Sequence, residues 1–159
     1  MIEKILQDLL ELGNKYQKRK QEEEEKQKRI QQQLRDHAET AKSKLGIIDK
    51  ILPNASTKIL ENRESDRISA ITEIRQSEKH GCAFGYEIGI AIVYHDGVFK
   101  WYIHGEETSY SIYQGFIKLD TESIIKQKKE IKPEQLESEI ADYLEKYYHQ
   151  SKARLNHLK

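Results

Sequence analysis

The sequence predicts an α+β protein: a long, charged N-terminal helix, then a small antiparallel β-meander packed by a C-terminal helix. Three observations carry this. Residues 14–45 contain neither glycine nor proline and are dominated by Lys, Glu, Gln, Arg and Ala, all favourable in helices. Residues 86–104 alternate as two strands around Asp96-Gly97. After Pro133, apolar residues recur at helical spacing. The expected organisation is a helical, coiled-coil-like extension over residues 1–53, an α+β domain over 54–151 and a basic tail over 152–159.

Composition agrees with an extension that adds little to a core. Of 159 residues, 34% are charged and 36% hydrophobic, the latter below the roughly 45–50% of ordinary globular domains. The 27 basic and 27 acidic residues cancel, so attraction to nucleic acid or an anionic membrane would need a local patch. Cys82 is the only cysteine, which excludes an intramolecular disulfide and fits a reducing compartment. The opening Met1–Asp8 carries acids where a secretory leader needs an unbroken apolar run. No stretch approaches the roughly 18–20 apolar residues of a membrane span. A cytoplasmic, non-membrane protein is the expectation.

The first helix is stabilised locally by Glu22–Lys26, Glu24–Lys28 and Glu25–Arg29, acid-before-base pairs worth about 0.2–0.5 kcal/mol each. Pro53 forbids its continuation. Gly13-Asn14 and Gly46 are two places where it could break earlier. Its apolar residues lie at the ends. Ile2, Ile5, Leu9, Leu12 and Tyr16 step by threes and fours, but the same frame then meets Arg19, Glu23 and Lys26. A second seam, Leu34, Ala38, Ala41, Leu45, Ile48 and Leu52, is one residue out of phase with the first. That argues against one continuous two-stranded coiled coil. Two apolar ends joined by a solvated rod fit better.

Residues 56–76 satisfy two periods. Ile68, Ile71 and Ile74 suit a helix, whereas Ile68, Ala70, Thr72 and Ile74 alternate as a strand. The β-branched content favours strand for Arg67–Arg75. Asp96-Gly97 suits a type I′ turn, which sets His95 opposite Val98, Tyr94 opposite Phe99, Ile92 opposite Trp101 and Ile90 opposite Ile103. One face of the hairpin is then apolar. The other, with Gly89, Ala91, His95, Lys100, Tyr102 and His104, is mixed, and its small residues permit close approach. A turn is expected at Gly105-Glu106-Glu107, a further strand from Ser109–Tyr113 and Phe116–Leu119, and a short helix from Asp120 or Thr121 through Ile131. In the last helix Leu136, Ile140, Tyr143, Leu144 and Tyr147 form a stripe suited to cover the apolar sheet face. Residues Lys152–Lys159 read as a fraying basic tail.

Catalytic signatures are absent: no Walker loop, no His-Glu-x-x-His, no Cys-x-x-Cys and no Gly-x-Ser-x-Gly. A zinc site from His80, Cys82, His95 and His104 fails as a foursome. The hairpin register puts His95 and His104 about 20 Å apart along the strands. Surface and turn histidines are the simpler reading, and no metal or cofactor is expected. Cys82 lacks an orienting group for nucleophilic chemistry. An enzyme is therefore not expected.

Two binding readings remain. Lys15, Lys18, Arg19 and Lys20, followed by Lys26, Lys28 and Arg29, could contact phosphates, with Glu22–Glu25 interposed between the clusters. The stronger reading rests on geometry. About 50 helical residues extend roughly 75 Å, while a domain of about 100 residues has a radius near 13 Å. The seam beside the domain can dock on it. The distal one, Ile2, Ile5, Leu9, Leu12 and Tyr16, is then left for a protein partner or another copy of the chain.

Overall fold

The computed structural model describes residues 1–61, 66–77, 82–111 and 128–157. Helix α1 (Ile2–Ile51) is followed by strands β1 (Ala55–Glu61), β2 (Arg67–Ser77), β3 (Cys82–His95), β4 (Val98–Ser111) and β5 (Lys129–Ile131). A 3-10 turn, Pro133–Gln135, then leads into helix α2 (Leu136–His157). The strands form one antiparallel sheet in the order β1-β2-β3-β4-β5.

Helix α1 runs unbroken through Gly13, Asn14 and Gly46. A single glycine costs about 1 kcal/mol relative to alanine, too little to stop a helix this long. At its end Leu52 turns extended, its amide still donating to the Ile48 carbonyl at 2.8 Å, and Pro53 follows. Asp49 ties the exit to the sheet. Its carboxylate accepts from the Thr57 amide at 2.8 Å and from the Thr57 hydroxyl at 2.6 Å.

The ambiguous stretch, where described, is strand rather than helix, and it contributes two strands, β1 and β2, rather than the single one expected over Arg67–Arg75. The hairpin register is as the turn chemistry requires. Asp96 and Gly97 both have positive φ, +49° and +79°, and His95 opposes Val98 while Ile90 opposes Ile103.

Other expectations are corrected. There is no turn at Gly105-Glu106-Glu107; β4 continues to Ser111, with Gly105 opposite Ile88. Glycine is needed there because a Cβ would collide with the Tyr143 ring and the Tyr86 hydroxyl. Ser109–Ser111 is therefore the end of β4, not the start of another strand. Residues 112–113 and the Phe116–Leu119 segment lie outside the described residues. So does most of the helix expected from Asp120 or Thr121, but its last residues are strand. Lys129–Ile131 pairs with Trp101–Ile103, and Ile131 is buried opposite Trp101. The basic tail does not fray at Lys152, since α2 reaches His157.

Both helices pack on one face of the sheet. The second seam of α1 (Leu34, Ala38, Ala41, Leu45, Ile48), extended upstream by Ile30, joins Ile68, Ala70, Ile74, Tyr86, Ile88, Ile90, Ile92, Trp101 and Ile103 in one core. From α2 come Leu136 and Ile140, with Tyr143, Leu144 and Tyr147 half-buried at the margin. The C-terminal stripe thus shares the cover of the sheet with the second seam of α1, the seam expected to dock on the domain. Lys44 on α1 and Glu137 on α2 form an exposed ion pair at 2.5 Å, worth little in energy.

Candidate protein-interaction surface

The core begins on α1 at Ile30, and every residue before it is exposed. Residues 2–29 thus form a free arm of about 40 Å at 1.5 Å per residue. Ile2, Ile5, Leu9, Leu12 and Tyr16 all lie on it, with exposures from 55% to 74%.

Two further residues belong with them. Leu6 and Leu10 are exposed to a similar degree. At about 100° per residue all seven fall within an arc of about 160°, bounded by Leu12 and Leu10 and containing Gly13. The polar residues Glu3, Lys4, Gln7, Asp8, Glu11, Asn14 and Lys15 fill the rest of the circle. A heptad reading admits only the a and d positions and so misses Leu6 and Leu10. An angular plot of the same residues finds both. The arc is wider than a strict a/d seam: Leu6 flanks it, and Leu10 lies at its outer edge.

Beyond Tyr16 the same side of the arm is a shallow open groove lined by polar residues, among them Arg19, Lys20, Glu23 and Gln27. On the arm the large apolar residues stop at Tyr16; elsewhere on α1 only Ile47 and Ile51, next to the sheet, are exposed.

The basic residues of the arm are exposed as well, but they do not line one face. Successive helical residues point in different directions. Lys15, Lys18, Arg19 and Lys20 therefore spread over about half the circumference, and Glu22, Glu23, Glu24 and Glu25 present a carboxylate on every side. Lys26, Lys28 and Arg29 resume beyond that ring. A nucleic-acid backbone following the arm would meet no continuous basic strip.

Among the described residues, the most perturbed titratable groups include several on the sheet face opposite the helices. Glu73, Glu87 and Glu106 stand side by side on β2, β3 and β4. Lys58 and Arg75 approach Glu73 at 3.2 and 3.5 Å. Glu87 is buried, and one of its oxygens has no hydrogen-bond partner. Burial, then repulsion from Glu73 and Glu106, pushes its pKa up to about 7, against a weaker opposing pull from Lys58. On the same face His104 is buried rather than the surface histidine expected. Its ring lies over Gly89, where a Cβ would overlap it, and its Nδ1 is 3.2 Å from the Gly89 carbonyl oxygen. The close approach that Gly89 permits is thus made by the chain's own histidine. Burial and nearby Lys128 lower the His104 pKa to about 3, and burial lowers that of Lys128 to about 7.

The repulsions on Glu87 come from other carboxylates, and the one on His104 comes from a lysine. Among the described residues no group of three or more His, Cys, Asp or Glu side chains could hold a metal ion. Of the residues considered as zinc ligands, His80 lies outside the described residues, and His95 is exposed beside Asp96 at 3.1 Å. No described helix is long and apolar enough to cross a membrane. Comparison of the chain with protein-family models, with curated proteins and with solved structures finds no match.

Proposed function

We propose that this chain is a non-catalytic interaction or assembly subunit that attaches to another protein chain, a partner or a second copy, through its N-terminal arm. The observation that carries this is the apolar arc of Ile2, Ile5, Leu6, Leu9, Leu10, Leu12 and Tyr16, held beyond the reach of the chain's own core. Fully burying one large aliphatic side chain is worth about 1.5–3 kcal/mol. Several of them on one face supply the driving force for docking even after the cost of association. The contrast within α1 supports the same reading. One helix carries two seams: the proximal one is consumed by the sheet, and the distal one is unclaimed.

The test compares the native chain with the double variant Leu9→Asp, Leu12→Asp. Mass must be measured by light scattering, because a long rod elutes anomalously on size alone. The native chain, purified or in lysate from its own cells, is expected in species heavier than its 18.7 kDa. The variant is expected at the single-chain mass with the native near-ultraviolet signal of Trp101. A native chain of single-chain mass in both settings would overturn the proposal.

A further inference from the structure

We infer that the arm's occupant is a second copy of this chain, and that the two arms lie antiparallel over residues 2–19. This rests on the assembly reading above and adds the identity and orientation of the partner.

The carrier is charge complementarity around the apolar arc. In the heptad frame Ile2, Leu9 and Tyr16 are a positions, and Ile5 and Leu12 are d positions. Asp8 and Lys15 then flank the seam on one side as g positions. Leu6, Gly13 and Lys20 flank it on the other as e positions. In a parallel pair each g residue faces the e residue five positions later on the other chain. Lys15 would meet Lys20 of the second copy twice over, and at the inner end Arg19 and Glu23 would each face their own counterparts.

Reversing one helix changes every one of these contacts. Leu9 now packs on Leu12 of the other copy and Ile5 on Tyr16, each twice by symmetry. The g positions face one another, which sets Asp8 against Lys15 twice. The e positions do the same, which lays Leu6 over Gly13, where nothing on the chain itself occupies the space above the glycine. Arg19 moves to the end of the overlap, against Ile2 of the other copy, and Glu23 leaves it. Two repulsions become two attractions, and the glycine becomes the recess for a leucine that a parallel pair would leave at the rim.

An anionic membrane surface fits this face less well. The polar side of its first three turns carries Glu3, Asp8 and Glu11 against Lys4, where interfacial helices carry lysine and arginine.

Geometry supplies the test. Antiparallel overlap puts residue 24 of the two copies about 40 Å apart along the arms, at 1.5 Å per residue, whereas parallel overlap leaves them within roughly one helix diameter, about 10–12 Å. The chain carrying Cys82→Ser and Glu24→Cys, spin-labelled at residue 24, is measured by dipolar spectroscopy under conditions where light scattering gives twice the chain mass. A distance near the longer value supports the inference. A doubled mass with the short distance overturns the antiparallel arrangement and leaves the assembly reading standing. A single-chain mass at every concentration overturns the second copy as occupant, and the lysate measurement then decides the assembly reading separately.

Because Cys82→Ser alters a strand, a second measurement uses only exposed residues. Asp8→Lys weakens self-association roughly three- to ten-fold by setting lysine against Lys15, and adding Lys15→Glu restores it. In a parallel pair Asp8→Lys has almost no effect, because Asp8 faces Gly13, and Lys15→Glu alone tightens association. That pattern would overturn the inference without labels.

Discussion

Leu45→Ala is expected to lower the unfolding free energy by about 2–5 kcal/mol, while Leu9→Ala, on the same helix, changes it by less than about 0.5 kcal/mol in protein dilute enough to be monomeric. Leu45 is fully buried between α1 and the sheet, so its loss removes apolar burial and leaves a cavity. Leu9 is 58% exposed on the arm and has no core to leave. Urea unfolding followed by the fluorescence of Trp101, the only tryptophan and a core residue, measures both. At higher concentration Leu9→Ala should shift the monomer–assembly balance instead. Equal losses for the two variants in the dilute protein would mean that the arm folds against its own domain.

Glu87→Gln is expected to stabilise the protein at pH 8 by about 1–3 kcal/mol, with the gain shrinking to nothing below about pH 4.5. The folded pKa of Glu87, about 7, lies above the ordinary value of 4.5, so folding favours the protonated acid. Stability is therefore lost as pH rises through the interval between those values, and the penalty is complete above it. Glutamine keeps the shape and cannot ionise. The groups facing this position are Glu73, Glu106 and Lys58, and removing one of three neighbouring carboxylates relieves the other two. His104 has the opposite slope, because its lowered pKa costs stability as pH falls from 6.5 towards 3. That contribution is common to both proteins and cancels in their difference. Thermal unfolding of the pair across pH 4–9 gives the result, and a variant less stable than native at pH 8 would contradict this account of the buried carboxylate.

What could be read from the residues alone was whatever local chemistry decides. Asp96-Gly97 dictates a turn with two positive φ values, and the register of fourteen-residue strands follows from it. The two seams of α1 and their different fates were likewise visible, because spacing, phase and helix length settle them. Gly105 was misread as punctuation. Its role is to make room for Tyr86 and Tyr143, and Tyr143 arrives from a helix thirty-eight residues later. Lys129–Ile131 was misread for a related reason. A three-residue edge strand has too few residues to show a period, and its state is decided by the free edge of β4. The burial of His104 depends on the room that Gly89 leaves opposite it, and its lowered pKa partly on nearby Lys128, which no local pattern joins. On the arm, Leu6 and Leu10 were legible but hidden by a heptad template narrower than the face they complete.

Hydrogen exchange of the native chain at a series of concentrations tests the central claim most directly. Amides of residues 2–16 should gain protection as the protein is concentrated, while those of residues 34–48, already closed over the sheet, should not change. Slow exchange of residues 2–16 at the greatest dilution, in a species of single-chain mass, would contradict it: the greasy tip would already be sheltered by its own molecule.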